Sequence, residues 1–174
     1  MLVSSDTVVT CPHAPQCPGC PLLDLPYGEQ LAAKTARVRR TLEAFGELRE
    51  CPVARTAEAT PIVGYRSRAK LVVDGKAVGL FARGTHAVVD LPECRVLDPV
   101  LAGVADAVRR ALPLAAPVRA LDVQRVDGGV FATLVVPDGT DERRLRDATA
   151  LLAREAPEIT GISVGYREEG SHQV

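Results

Sequence analysis

Tryptophan is absent from this chain and aromatic residues make up only 3% of it, so a core has to be built from Ala, Val and Leu. Long hydrophobic runs are missing too. Apolar stretches such as Leu71–Val73 and Leu134–Val136 fall far short of the roughly 20 residues that cross a bilayer. The opening MLVSSDTVVT lacks the basic start and apolar segment of a secretory signal, which makes the cytoplasm the expected location. Net charge is nearly missing: a formal value of −1 excludes a globally basic nucleic-acid binder. Neither a GxGxxG nor a phosphate-loop motif occurs, and nothing reads as a nucleotide-binding βαβ unit. The 174 residues suffice for one ordinary domain or two small ones sharing a core.

Cysteine is scarce as well, yet three of the five cysteines fall within CPHAPQCPGC, residues 11–20. An odd count in a reducing compartment argues against disulfides and for metal or cluster ligation. Cys11, Cys17 and Cys20 form a C-x5-C-x2-C run among Pro12, Pro15, Pro18, Pro21 and Pro26, too much proline for a helix or a central strand. Residues 1–26 therefore read as an irregular cysteine-rich loop that a bound centre would order. A fourth ligand comes from Cys51 or Cys94. Zinc favours two pairs of ligands on separate knuckles. Three grouped cysteines and one remote suit an iron–sulfur cube better, and spacing favours a cluster over zinc. His13 is either a further ligand or an exposed loop residue.

Charge is unevenly spread. Between Tyr27 and Lys70 nine basic residues face five acidic ones, and the remainder is net acidic. Any surface for a polyanion should lie in this early segment. YGEQLAAKTARVRRTLEAFG reads as a helix with Leu31, Thr35, Val38, Leu42 and Phe45 on its apolar side. Lys34, Arg37 and Arg40 line a neighbouring stripe, which serves equally as a solvated face or a phosphate contact. Further on, SRAKLVVDGKAVGLFA reads as a hairpin turning at Asp74-Gly75, HAVVDL as a strand, and Pro99 opens a helix to about Leu112. A second hairpin turns at DGG, DERRLRDATALLAREA forms a helix, and ITGISVGYREE is a last strand. The expected class is α+β: a mainly antiparallel sheet with helices packed on one face, preceded by the cysteine loop.

These residues resemble a known family. CPHAPQCPGC followed by LDLPYGEQLAAKTARVRRTL is similar to the opening of the RNA uracil-5-methyltransferases, with Tyr27, Gln30, Leu31 and Lys34 at its Tyr and QLxxK places. The family's tyrosine-arginine motif is matched by Tyr65-Arg66-Ser67-Arg68-Ala69. Its G-x-aromatic…SH-x-x-VD-x-x-x-C pattern is matched by GLFARGTHAVVDLPEC, with Thr85 in place of serine. The match is specific from Cys11 to about Pro99 and vaguer beyond.

The resemblance implies a [4Fe-4S] cluster on Cys11, Cys17, Cys20 and Cys94, leaving Cys51 over. It implies residues 27–174 as a central RNA-recognition domain, with Tyr65, Arg66, Arg68, Lys70, Lys34, Arg37 and Arg40 toward the RNA. Without it, Arg66, Arg68 and Lys70 read as ordinary solvent-facing strand residues on one face. His86 reads as structural, and the resemblance brings it nearer the cluster. Family members form 5-methyluridine in ribosomal or transfer RNA by thiolate attack on carbon 6 of uracil, then methyl transfer from S-adenosylmethionine. The S-adenosylmethionine-binding domain and its Asn-Pro-linked cysteine have no counterpart among these residues, so the chain is expected not to be catalytic alone. Its expected partners are RNA, ribosomal ahead of transfer, and a separate methyltransferase domain or subunit. The alternatives are a free-standing iron–sulfur RNA-binding protein and an unrelated small zinc domain.

Overall fold

In the computed structural model, which describes residues 3–111 and 117–167, alternating apolar positions assemble one six-stranded sheet in the order β3-β2-β1-β4-β5-β6. Its strands are β1 (Arg68–Asp74), β2 (Ala77–Phe81), β3 (Val88–Asp90), β4 (Ala120–Val126), β5 (Gly129–Pro137) and β6 (Ile159–Arg167). Among the described residues three α-helices accompany them: α1 (Tyr27–Glu43), α2 (Pro99–Ala111) and α3 (Glu142–Glu155). The α+β class and the antiparallel majority are as the sequence led one to expect.

The two hairpins follow from local chemistry. β4 turns into β5 through Asp127 and Gly128 at φ +50° and +82°, the two left-handed residues a tight hairpin turn demands. β1 turns into β2 between Asp74 and Ala77, with Gly75 at φ +56°. The one parallel pair is β5 with β6, because α3 carries the chain back over the sheet before β6 begins. The Asp141 carboxylate caps α3 by accepting from the Arg144 N–H at 3.0 Å.

The core is aliphatic. Leu71 and Val73 of β1, Leu121 and Val123 of β4, and Val130 to Val136 at every second place of β5 are buried. They meet Leu101, Val104 and Val108 of α2 and Leu145, Ala148 and Leu152 of α3. Both helices thus lie on the same side of the sheet. Among the described residues, no helix is long and apolar enough to cross a membrane.

α1 departs from its periodicity. Its buried residues are Tyr27 and Gln30, whereas Val38 and Phe45 of the expected apolar side are 50% and 59% exposed. The helix is held at its start by loops rather than by the sheet. Gln30 Nε2 donates to the Leu25 carbonyl at 2.9 Å, and the Tyr27 hydroxyl accepts from Ala59 N–H at 2.7 Å. Midway along, Thr35 Oγ1 accepts from the Thr56 N–H at 2.9 Å.

Candidate metal centre and nucleic-acid face

The proline-rich loop folds as a chain of turns. Ala14 N–H donates to the Cys11 carbonyl, Cys17 N–H to that of His13 at 2.8 Å, and Leu23 N–H to that of Cys20. Gly19 N–H points at the Cys17 sulfur at 3.4 Å, the kind of backbone donor that stabilises a thiolate. Space at Gly19 is tight: a Cβ there would stand 3.1 Å from Leu80 Cδ1 and 3.3 Å from the Cys17 sulfur, so a neighbour would have to give way by a few tenths of an ångström. Cys94 arrives from the opposite direction, after edge strand β3, through a turn in which Glu93 takes φ +56°. His13 joins the two segments: its Nε2 donates to the Pro92 carbonyl oxygen at 2.6 Å.

Cys11, Cys17, Cys20 and Cys94 line one small cavity, with Leu23, Leu91 and Val96 as an apolar wall. The fold therefore brings together residues up to 83 positions apart in the chain, the Cys11-to-Cys94 separation. Burial pushes the Cys20 thiol up, the positive charge of Arg66 opposes this, and Cys94, Cys17 and Cys11 add to the rise. Among the described residues, no three His, Cys, Asp or Glu side chains close on a single point in ion-holding geometry. Cys51 is exposed in the connector that follows α1 and is not part of the cavity wall. His86 stacks edge-on against Phe81, with ring centroids 5.5 Å apart, and likewise does not line the cavity. Thr85 accepts from the Ala87 N–H at 3.1 Å, so the hydroxyl at that position ties down the loop between β2 and β3.

Next to the cavity runs the tyrosine-arginine segment. Arg66 is pinned by its backbone, which donates to Val96 at 2.8 Å and accepts from Asp98 at 3.1 Å. Tyr65 beside it is 54% exposed. Arg68 and Lys70 occupy the outer face of β1, away from the helices. Arg68 forms a two-pronged pair with Asp122, Nε to Oδ1 at 3.1 Å and Nη2 to Oδ2 at 2.7 Å. That partner was not anticipated. Its signal is the alternation of ALDVQRV, which sends Asp122 to the face opposite Leu121 and Val123. Lys34, Arg37 and Arg40 are exposed on α1, which makes no substantial contact with any strand, so their stripe is a surface separate from Arg68 and Lys70.

Arg109 of α2 was also missed. Its guanidinium donates to Asp90 of β3 at 2.8 Å, to Asp106 and to the Val78 carbonyl at 3.3 Å, and so fastens the edge strand that leads to Cys94.

Comparison with known proteins adds relatives. A 23S rRNA (uracil(1939)-C(5))-methyltransferase of Pseudomonas fluorescens is 34% identical over 137 residues, 72% of this chain and 28% of that protein. An uncharacterized RNA methyltransferase of Nostoc sp. is 30% identical over 182 residues, 94% of this chain and 39% of that protein. A tRNA (uracil-54, C5)-methyltransferase of Pyrococcus abyssi, solved with S-adenosyl-L-homocysteine, matches with a TM-score of 0.63 and 19% identity, over 96% of this chain and 40% of its own. At that identity the likeness is one of fold. The chain spans about two-fifths or less of the length of these proteins. No family model matches it.

Proposed function

Since the chain belongs with the RNA methyltransferases, uracil-5 enzymes among them, we propose that it is the iron–sulfur, RNA-recognising N-terminal and central part of an RNA uracil-5-methyltransferase. The observation that carries this reading is the convergence of Cys11, Cys17, Cys20 and Cys94 on one cavity, with Cys51 left out. These are the four cysteines that the family pattern singles out.

The donor set fits a [4Fe-4S] cluster. Four part-buried thiols with an apolar wall, a backbone N–H on one sulfur and a guanidinium nearby suit an anionic centre. Such a group would cross-link the loop of residues 11–20 to the segment after β3. This chain's own residues hold the site in shape: His13 ties the two segments, and Arg109 fixes β3. Tyr65 offers a ring to an unpaired base, and Arg66, Arg68 and Lys70 offer charge to the backbone of a folded RNA. Lys34, Arg37 and Arg40 supply a second phosphate-facing stripe on α1. Methyl transfer from S-adenosylmethionine falls to a further domain or subunit. Ribosomal RNA is the favoured substrate, supported by the 34% identity to the Pseudomonas protein.

The test is iron, acid-labile sulfide and zinc content of anaerobically purified protein. About four irons and four sulfides per chain are expected, lost in Cys94→Ser and retained in Cys51→Ser. About one zinc per chain under iron-replete conditions would overturn the cluster.

A further inference from the structure

Among the described residues, helices cover one face of the sheet, and strand register lays out the other. Arg68 pairs with Gln124, Gln124 with Phe131 and Phe131 with Gly161, so one row across β1, β4, β5 and β6 carries a cation, an amide, an aromatic ring and a glycine. The adjacent row is Lys70, Asp122, Thr133 and Ser163, whose two hydroxyls lie 2.8 Å apart. Their chain neighbours Val123, Val130, Ala132 and Leu134 are buried on the helix side, which fixes both rows on the open side.

Phe131 is 40% exposed there. Its pose has a cause. A Cβ on Gly129 would lie 3.0 Å from the ring's Cε2, and one on Gly161 would lie 3.1 Å from Cδ1. Opposite edges of the ring rest over two glycines, which leaves the ring low on the sheet with its outer surface open.

We propose that Phe131 is a stacking platform for an unpaired RNA base, with Gln124 at the base edge and Arg68 and Lys70 toward the phosphates; this rests on the RNA-recognising reading above. Aromatic rings on open sheets bind single-stranded RNA because every base has a π-face. The charge suits the occupant: the two rows hold two cations and one acid, Asp122. The proposed contact residues Tyr65 and Arg66 directly precede β1 in the chain. A protein partner is less well matched. Phe131 and Val126 are the exposed large apolar side chains of this face among the described residues, and the apolar row Val72, Ala120 and Val135 beyond the hydroxyls is part-buried or buried.

The chain has no tryptophan, so Phe131→Trp installs a sole indole on the platform. Titration of the full chain with a single-stranded RNA hexamer should quench indole emission at the same midpoint as fluorescence anisotropy of the labelled RNA. Phe131→Ala and Phe131→Leu should each weaken binding roughly tenfold, with Phe131→Leu, which keeps an apolar side chain on the two glycines, holding a near-wild-type unfolding midpoint. RNA binding with unaltered emission and wild-type affinity of Phe131→Ala would overturn the platform and leave the RNA-recognising reading standing. Failure of every version, wild type included, to bind RNA would overturn that reading and the platform with it. A blue shift that grows with protein concentration before RNA is added would assign the face to a second copy of the chain, against the proposal.

Discussion

His13 Nε2 stands 2.6 Å from the Pro92 carbonyl oxygen and so ties the first cysteine turn to the segment that delivers Cys94. One hydrogen bond of this kind contributes about 0.5–1.5 kcal/mol. Its position makes it worth more to the cysteine site than to the fold. His13→Ala is expected to lower the unfolding midpoint only slightly and, if the proposed cluster is present, to release its iron to a chelator several-fold faster than wild type. Equal release rates would mean that the two segments hold their places without it.

Arg68 is engaged by Asp122 through both prongs, with the Arg68 side chain 57% exposed. A pair this open adds little to stability. On the proposed RNA contact its effect would be larger: Asp122 occupies the fork that would grip a phosphate and adds a repelling charge. Asp122→Asn should therefore tighten RNA binding several-fold at low salt. Arg68→Gln should weaken it and reduce the slope of log Kd against log salt by about one. Anisotropy titrations at four salt concentrations read both, and a slope unchanged in Arg68→Gln would remove Arg68 from the phosphate contacts.

Much of the sheet was legible because its signals are local. Asp127-Gly128 can adopt only a few conformations, and the alternation of VFATLVVP assigns each β5 residue to a face. The cysteine site was legible only in part. Spacing groups Cys11, Cys17 and Cys20, but no local rule chooses between Cys51 and Cys94, because that depends on where β3 ends in space. Arg68 illustrates the same limit. Its face follows from alternation, whereas its pairing with Asp122 depends on the register between β1 and β4, 54 residues apart.

Asp90 gives a pH dependence with a definite sign. Burial works to raise its pKa, but hydrogen bonds from Arg109 and the Val78 N–H, with the charge of Arg109, outweigh it and hold the carboxyl below its ordinary value. A depressed folded-state pKa contributes stability that is present above the unfolded value, near 3.9, and is lost as pH falls through the folded one. The Asp90 side chain is 37% exposed, so solvent screens much of the interaction and about 1 kcal/mol is expected. Urea midpoints of wild type and Asp90→Asn should differ by a constant amount from pH 5 to 7 and converge below about pH 4. Curves that stay parallel to the acid limit would place the effect elsewhere.

The apolar side of α1 is the clearest case of a pattern that the described fold does not use. Val38 and Phe45 have helical spacing, yet the helix is held through Tyr27, Gln30 and Thr35, and their side chains remain half exposed or more. Removing apolar surface that is already wet costs little, so Val38→Ser and Phe45→Ser should each change stability by no more than about 0.5 kcal/mol. Leu152 of α3 has no exposed surface and packs against the sheet, and Leu152→Ala should cost about 2–5 kcal/mol. Chemical denaturation of the three variants makes the comparison direct. A loss of 2 kcal/mol or more in Val38→Ser would mean that the α1 stripe is covered after all, by a second copy of the chain, and the same variant would then shift the sedimentation coefficient toward that of a monomer.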